Sequence, residues 1–268
     1  MTALPPPAGQ RTGIGASGGT GQRTAPPGEA PLRIERSPKR LRALLGGRLV
    51  FDTYRPALVW ERRPSPTYYV EHEDVVARLE ATGSVEHHGG LGDATTFDVH
   101  VGGRVARGAA RVFERSAHEA LRSLVRFEWD ALDEWLEEDE PVYVHPRSPY
   151  VRVDVLASSR LVVLRLDGHE VARSDQPRIL FETGLRPRYY LPLAHVHTEL
   201  LVPSSTVTRC PYKGTASYWS LELGGRRYDD YAWCYRSPLP ECAKIAGLIC
   251  FFDERMELSV DGGSLPGS

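Results

Sequence analysis

The chain repeats one segment of its own sequence. An overlay shifted by 121 positions superposes Gly47, Val50, Pro56, Glu61, Pro66, Tyr68, Tyr69, Val75 and Leu79 on Gly168, Val171, Pro177, Glu182, Pro187, Tyr189, Tyr190, Val196 and Leu200. Self-similarity of this extent indicates two copies of one structural unit. Features that both copies share are therefore expected to maintain the fold, and features of one copy alone are candidates for function.

The duplication and the local composition divide the chain into four regions. Residues 1–30 are mostly Pro, Gly, Ala, Ser and Thr, and we expect a disordered tail because they offer too little apolar surface for folding. We assign 31–141 to an N-terminal degenerate repeat, 142–160 to a linker and first-strand region, and 161–264 to a C-terminal repeat that carries the candidate site. A G-x-G-x-x-G match at 13–18 lacks the flanking strand and helix, so we reject dinucleotide binding.

Charge and hydropathy exclude several classes of partner. The chain has 33 Lys and Arg residues against 35 Asp and Glu residues, a formal net charge of -2, so we expect no nucleic-acid and no membrane binding. Its apolar runs are too short to span a membrane, and we expect a soluble, cytoplasmic protein. The four cysteines form no C-x-x-C pair, so we expect reduced thiols, no metal and no cofactor. The sequence carries no signal for an oligomeric state.

Glycine-containing pairs predict two hairpins in each copy. These pairs are Gly46-Gly47 and Gly102-Gly103 in the first copy, and Asp167-Gly168 and Gly224-Gly225 in the second. Such pairs supply the positive φ angles that tight hairpin turns require. We therefore predict a mainly β (α+β) fold with two tandem small antiparallel-sheet domains.

One helix is predicted near the end of each copy. In the first copy, Ser116 and Glu119 have the spacing of a capping box, and apolar residues follow at helical intervals. In the second copy, Ser237 and Pro238 precede an apolar stripe made of Ile245, Leu248, Ile249 and Phe252. We expect each of these helices to pack on the sheet of its own domain.

Three aromatic residues distinguish the second copy on one face of a hairpin. Side chains alternate between the two faces along a strand, so the copies can be compared face by face. The first copy has mostly polar groups on this face, whereas the second has Tyr218, Trp233 and Tyr235. Such aromatic side chains form either a binding wall or a surface that packs against the linker or the first domain.

The loop Cys210-Pro211-Tyr212-Lys213-Gly214 belongs to the second copy alone and precedes this hairpin. Lys213 is one of three lysines among 33 basic residues, which suggests a position where arginine would not serve. We expect Lys213 to anchor a phosphate or carboxylate beside the aromatic residues, with an amine base or nucleophile as the alternative. Cys210 is either a thiolate nucleophile or a small buried hydrophobic residue.

Neighbouring positions complete the set of candidate site residues. Glu182 and Tyr190 have counterparts in the first copy, which favours a structural role, although Glu182 could pair with Lys213. Arg188 replaces Thr67 and adds an anion contact. The catalytic candidates are Lys213, Cys210 and Glu182, and the ligand-binding candidates are Lys213, Tyr212, Tyr218, Trp233, Tyr235, Arg188 and Tyr190.

Several segments resemble the family called domain of unknown function 427. They are Pro177 to Gly184, Arg188 to Pro192, Cys210 to Trp219, and Ala232 to Tyr235, and the resemblance extends weakly over residues 34–141. It implies a small antiparallel fold of the tent-like class, which also includes zinc-binding and cereblon-type modules, and it brings a nucleotidyltransferase-like label. The C-x-x-C knuckles of the zinc-binding members are absent from this sequence. In the first copy, Gly89 to Asp93 replace the lysine loop, so we assign no site to that copy.

These residues predict a small-molecule-binding protein, with catalysis left open. The expected partner is a small anionic molecule, such as a nucleotide or another phosphorylated or carboxylated metabolite, held in an aromatic pocket of the C-terminal repeat. The alternative is a non-catalytic interaction module that binds a peptide or a modified side chain through the same aromatic face.

Overall fold

The computed structural model describes residues 32–61 and 65–264. The predicted disordered tail and the G-x-G-x-x-G match lie outside the described residues. Both repeats belong to one compact unit that begins at Leu32.

Strands β1 to β11 form the N-terminal repeat. They are β1 (Arg33–Arg36), β2 (Leu41–Leu45), β3 (Arg48–Thr53), β4 (Ala57–Trp60), β5 (Thr67–Glu71), β6 (Arg78–His88), β7 (Gly92–Val101), β8 (Arg104–Val112), β9 (Leu124–Phe127), β10 (Glu134–Glu137) and β11 (Glu140–Pro141). Short 3-10 segments cover His72–Asp74, Gly89–Leu91, Glu119–Leu121 and Trp129–Ala131.

Strands β12 to β22 repeat this series in the C-terminal repeat. They are β12 (Val153–Ala157), β13 (Val162–Leu166), β14 (His169–Ser174), β15 (Arg178–Glu182), β16 (Arg188–Leu191), β17 (Leu201–Cys210), β18 (Gly214–Leu223), β19 (Arg226–Cys234), β20 (Ile249–Phe251), β21 (Glu257–Val260) and β22 (Gly263–Ser264). Here 3-10 segments cover Leu193–His195, Thr198–Leu200, Pro240–Ile245 and Asp253–Arg255.

The two repeats have the same strand topology. Each contains a seven-stranded antiparallel sheet, in the order β1-β4-β5-β9-β8-β7-β6 in the first repeat and β12-β15-β16-β20-β19-β18-β17 in the second. Each also contains a four-stranded sheet, in the orders β11-β10-β2-β3 and β14-β13-β21-β22. The four hairpins predicted from glycine pairs are β2-β3, β7-β8, β13-β14 and β18-β19, and all four are confirmed.

Each seven-stranded sheet buries apolar side chains on both of its faces. In the C-terminal repeat, one face packs against the four-stranded sheet through residues such as Leu164, Ile249 and Phe251. The opposite face carries a separate cluster that contains Tyr190 and Trp233. The site described below lies on this second face. It therefore does not interrupt the larger core.

The prediction of one helix near the end of each copy is wrong. The region around Ser116 contains only the 3-10 segment Glu119–Leu121, and Leu124 and Val125 then enter strand β9. These two residues lie in different apolar clusters, because β9 runs inside the sheet and is covered on both faces. A strand that is buried on both faces shows a continuous apolar run, and periodicity alone does not separate such a run from a buried helix.

The helix predicted in the second copy is wrong for the same reason. The stripe that starts near Ser237 becomes the 3-10 segment Pro240–Ile245 followed by strand β20. Ile249 and Cys250 project into different clusters on the two faces of the sheet. The described residues thus form a mainly β protein in which the helical segments are short 3-10 turns.

Candidate functional site

A cleft of about 440 Å³ opens on the second face of the C-terminal seven-stranded sheet. Its walls come from β15, β16 and the loop between them, from the loop that carries Lys213, from β18, from β19 and its end, and from the residue that follows β20. The lining residues are Leu180, Glu182, Gly184, Leu185, Arg186, Arg188, Tyr190, Lys213, Tyr218, Trp233, Tyr235 and Phe252. All of them belong to the C-terminal repeat.

Aromatic rings form the apolar part of the cleft. The Trp233 and Phe252 ring centroids lie 4.5 Å apart at an interplanar angle of 51°, and Tyr218 stacks on Phe252 at 6.4 Å. The Trp233 indole Nε1 donates a hydrogen bond of 3.2 Å to the Tyr190 hydroxyl. Because Trp233 and Tyr190 are both buried, this hydrogen bond holds the indole in one orientation.

Lys213 and Glu182 form an ion pair in the wall of the cleft, with the ammonium donating a hydrogen bond to the carboxylate. Their side chains are only 12% and 9% exposed. Gly214 follows with a φ of +97°, a conformation that favours glycine and lets the chain turn into β18. The pair is specific to this repeat, since Leu91 occupies the place of Lys213 in the other.

The ammonium of Lys213 keeps its proton at neutral pH. Burial on its own disfavours the charged amine, but the nearby Cys210 sulfur and Glu182 carboxylate outweigh it and raise the pKa of Lys213 above the ordinary value. A protonated lysine can anchor an anion or donate a proton, whereas an amine nucleophile needs a lowered pKa. The environment of Lys213 therefore favours anion binding over covalent amine chemistry.

Two arginines and two carboxylates form a charged rim beside the aromatic rings. Arg188 donates hydrogen bonds of 2.5 Å to Asp253 and to Glu254, and Arg186 lies 3.1 Å from Asp253. The hydrogen bond from Arg188 lowers the pKa of Glu254 to about 2. Burial raises the pKa of Asp253, although both arginines oppose that shift. The Arg188 guanidinium also lies 5.5 Å from the Trp233 ring centroid.

Two of the sequence candidates lie outside the lining of the cleft. The hydroxyl of Tyr212 accepts a hydrogen bond of 2.7 Å from the backbone amide of Ser148 in the linker. Cys210 ends β17 opposite Gly214 and is partly buried. The remaining candidates, which are Lys213, Glu182, Arg188, Tyr190, Tyr218, Trp233 and Tyr235, all line the cleft.

Four further lining residues were not predicted from the sequence: Phe252, Arg186, Leu180 and Leu185. The wrong helix prediction placed Phe252 on an apolar stripe, whereas it follows β20 and faces the cleft. Comparing the copies at this position would have identified Phe252, because the equivalent residue is Glu128. The equivalence follows from the backbone hydrogen bonds. The Phe252 amide donates to the Tyr231 carbonyl, and the Glu128 amide donates to the Ala109 carbonyl at the matching place in the first repeat.

The corresponding surface of the N-terminal repeat is occupied by an ion-pair network. Arg111 and Arg126 stand where the C-terminal repeat has Trp233 and Cys250, and both donate to Glu128. Arg126 also donates a hydrogen bond of 2.8 Å to Glu61, the counterpart of Glu182. The two repeats thus present different chemistry on the same face of one fold.

Among residues 32–61 and 65–264, no group of three or more His, Cys, Asp or Glu side chains is arranged to hold a metal ion. In the same part of the chain, none of the helical segments has the length and apolar character that a membrane span requires.

Comparison with known proteins identifies the repeated unit. A search of curated proteins found no match to the chain. The model of the family described as domain of unknown function (DUF427) matches residues 33–138 and again residues 154–262. Each segment covers its repeat from the first strand to just before the last one. The chain therefore belongs to the DUF427 family and carries two copies of its domain in tandem.

Proposed function

We propose that the C-terminal repeat binds a small anionic molecule with a planar, unsaturated body, such as a nucleotide or another phosphorylated or carboxylated metabolite. The observation that carries this proposal is the cleft of about 440 Å³ in which aromatic rings adjoin three cationic side chains. Clefts of this size that combine apolar walls with a few polar groups are typical of small-molecule sites.

The charges of the lining residues support an anionic ligand. Lys213, Arg186 and Arg188 are cationic, and Glu182 is the one carboxylate among the lining residues, whereas Asp253 and Glu254 pair with the two arginines from outside the lining. The ammonium group of Lys213 has three hydrogen-bond donors, so the bond to Glu182 leaves donors for a ligand oxygen. Arginine side chains bind phosphate and carboxylate through two parallel hydrogen bonds, and a ligand anion would compete with Asp253 and Glu254 for those of Arg186 and Arg188.

The aromatic rings support a planar ligand body. The Phe252 ring contacts both Tyr218 and Trp233, and the Tyr218 and Phe252 side chains are only partly buried. A flat unsaturated group gains from stacking on such rings, and each aromatic pair contributes about 0.5–1.5 kcal/mol beyond the area buried.

The interaction module remains the competing proposal. Aromatic rings also bind methylated ammonium groups through cation–π contacts. Here, however, the Arg188 guanidinium already lies 5.5 Å from the Trp233 ring centroid, and that of Arg255 lies 4.7 Å from the Phe252 centroid. A cationic ligand would be repelled by both guanidinium groups, which favours the anionic ligand.

Isothermal titration of the full chain with phenyl phosphate, AMP, inorganic phosphate and a trimethyllysine peptide tests the proposal. We expect phenyl phosphate or AMP to bind more tightly than inorganic phosphate, because only the first two have a ring. Substitution Lys213→Gln is expected to weaken that binding at least about tenfold, as loss of a charge-assisted hydrogen bond does.

The matched control is Lys39→Gln. Lys39 also pairs with a glutamate, Glu137, but this pair lies in the N-terminal repeat with Lys39 49% exposed. The control variant should bind the ring-bearing anions as the parent does. Equal affinity in the Lys213→Gln variant, or preferential binding of the trimethyllysine peptide, would contradict an anion site in this cleft.

A further inference from the structure

A second, smaller cavity of about 230 Å³ lies in the N-terminal repeat, where the linker and the C-terminal repeat meet it. Trp129 and Trp135 supply one side, Tyr143 of the linker supplies another, and Arg209 reaches the cavity from the end of β17. This cavity shares no lining residue with the aromatic cleft of the C-terminal repeat. It is therefore a separate feature with its own chemistry.

The two tryptophans belong to the N-terminal repeat alone. Their rings stack with centroids 4.5 Å apart and an interplanar angle of 8°, and the Trp135 Nε1 donates a 3.0 Å hydrogen bond to the Trp129 carbonyl. The C-terminal repeat has Leu258 in place of Trp135, in the equivalent pairing of the four-stranded sheet. The stacked pair is thus not required by the shared fold.

Three carboxylates surround these rings. Asp130, Asp133 and Glu134 line the cavity and are exposed to solvent. Asp133 accepts a 2.6 Å hydrogen bond from the Gly46 backbone amide. Within the described part of the chain, no salt bridge is formed by Asp130 or Glu134. The cavity therefore has an excess of negative charge over its single cation, Arg209.

Arg209 is the one cation among the lining residues, and it contacts an aromatic ring of the cavity. Its guanidinium carbon lies 4.9 Å from the centroid of the Tyr143 ring, in a cation–π contact. Arg209 itself is exposed, and Tyr143 is 63% exposed. A guanidinium group of the protein thus contacts one ring of a cavity that is also lined by a tryptophan stack.

We propose that this cavity binds a small organic cation of the guanidinium type. The flat cation would lie against Trp129 and direct its N–H groups at the carboxylates of Asp130 and Glu134. This combination of an aromatic face with nearby carboxylates matches both the planarity and the charge of a guanidinium group. The proposal is independent of the anion-binding function proposed for the other cleft.

Calorimetric titration of the full chain with butylguanidinium and with butylurea tests this proposal. The two probes have nearly the same shape, and only the first is charged. We expect saturable binding of butylguanidinium that weakens as NaCl is added, and at least about tenfold weaker binding of butylurea. Glu134→Gln should lower the affinity for butylguanidinium about threefold, as expected for one exposed ion pair.

Two further variants are expected to act in opposite directions. Trp129→Ala should weaken butylguanidinium binding about tenfold by removing the ring face. Arg209→Gln should strengthen it about threefold, because it removes a like charge and uncovers Tyr143. Arg209 is exposed, so this variant is expected to fold even if Trp129→Ala does not.

Glu73→Gln serves as the control and should leave butylguanidinium binding unchanged, because it removes an exposed carboxylate of the same repeat that does not line the cavity. Equal binding of butylurea, absence of saturable butylguanidinium binding, or unchanged affinity in both Glu134→Gln and Arg209→Gln would each overturn the proposed site.

Discussion

The two repeats share one strand topology but differ on the same face of the seven-stranded sheet. In the N-terminal repeat this face carries Arg111, Arg126 and Glu128 in a connected ion-pair network. In the C-terminal repeat the equivalent residues are Trp233, Cys250 and Phe252, and a cleft opens there. The same strand order therefore carries a connected ion-pair network in one repeat and an aromatic cleft in the other.

One carboxylate is common to both arrangements but has different partners. Glu61 accepts hydrogen bonds from Arg126 at 2.8 Å and from the Tyr69 hydroxyl at 3.0 Å. Its counterpart Glu182 pairs instead with Lys213, which approaches from the loop before β18. A carboxylate that both copies share therefore has a different ion-pair partner in each repeat.

The largest expected effect comes from removing this shared carboxylate in each repeat. Glu182→Gln leaves the buried ammonium of Lys213 without a counter-charge, and we expect a loss of about 2–3 kcal/mol in the free energy of unfolding. Glu61→Gln should cost about 1 kcal/mol, because Arg126 keeps its ion pair with Glu128. Urea unfolding of both variants measures the difference. Equal losses would mean that the two glutamates have the same role.

The second largest effect is expected from exchanging the side chains that differ between the two faces. This variant tests whether those exchanges alone account for the cleft. The triple variant Trp233→Arg, Cys250→Arg, Phe252→Glu gives the C-terminal repeat the residues of the N-terminal one, and Glu182 can then accept from the new arginine at position 250. We expect an unchanged far-UV circular dichroism spectrum and at least about tenfold weaker phenyl phosphate binding, because the stacking rings are gone. Arg111→Gln, at the matching place in the other repeat, is the control and should bind like the parent.

The smallest effect concerns the charged rim, which has no equivalent in the N-terminal repeat because Thr67 stands in place of Arg188. The Glu254 pKa of about 2 is depressed mainly by its hydrogen bond from Arg188. Arg188→Gln should return this pKa toward 4.5, the ordinary value for glutamate. NMR titration of the Glu254 carboxyl carbon measures the shift.

The sign of the accompanying change in stability follows from the depressed pKa. A carboxyl group with a lowered folded-state pKa stabilises the protein above its unfolded-state pKa, and this contribution is lost as the pH falls through the folded value. The free energy of unfolding of the parent should therefore be about 1 kcal/mol larger than that of the Arg188→Gln variant at neutral pH. That margin should shrink between pH 4.5 and 2. A margin that stays constant across this range would show that Glu254 does not depend on Arg188.

Much of this organisation is readable in the amino-acid sequence. The internal repeat predicts two copies of one unit, and the glycine pairs predict four hairpins, because both are local patterns with direct structural consequences. Comparing the copies face by face also selected Tyr218, Trp233, Tyr235 and Lys213, all of which line the cleft. Alternation along a strand is a local rule, so these residues could be placed on one face without knowledge of the tertiary structure.

Only the tertiary structure decided how the remaining residues are used. Leu124 and Ile249 belong to strands that are covered on both faces, and their apolar runs resembled helices until the neighbouring strands were known. The pairing of Lys213 with Glu182 and the position of Phe252 in the cleft depend on contacts between residues far apart in the chain. Local patterns specify strands and turns, whereas burial on two faces and the partners of charged groups are set by which strands become neighbours.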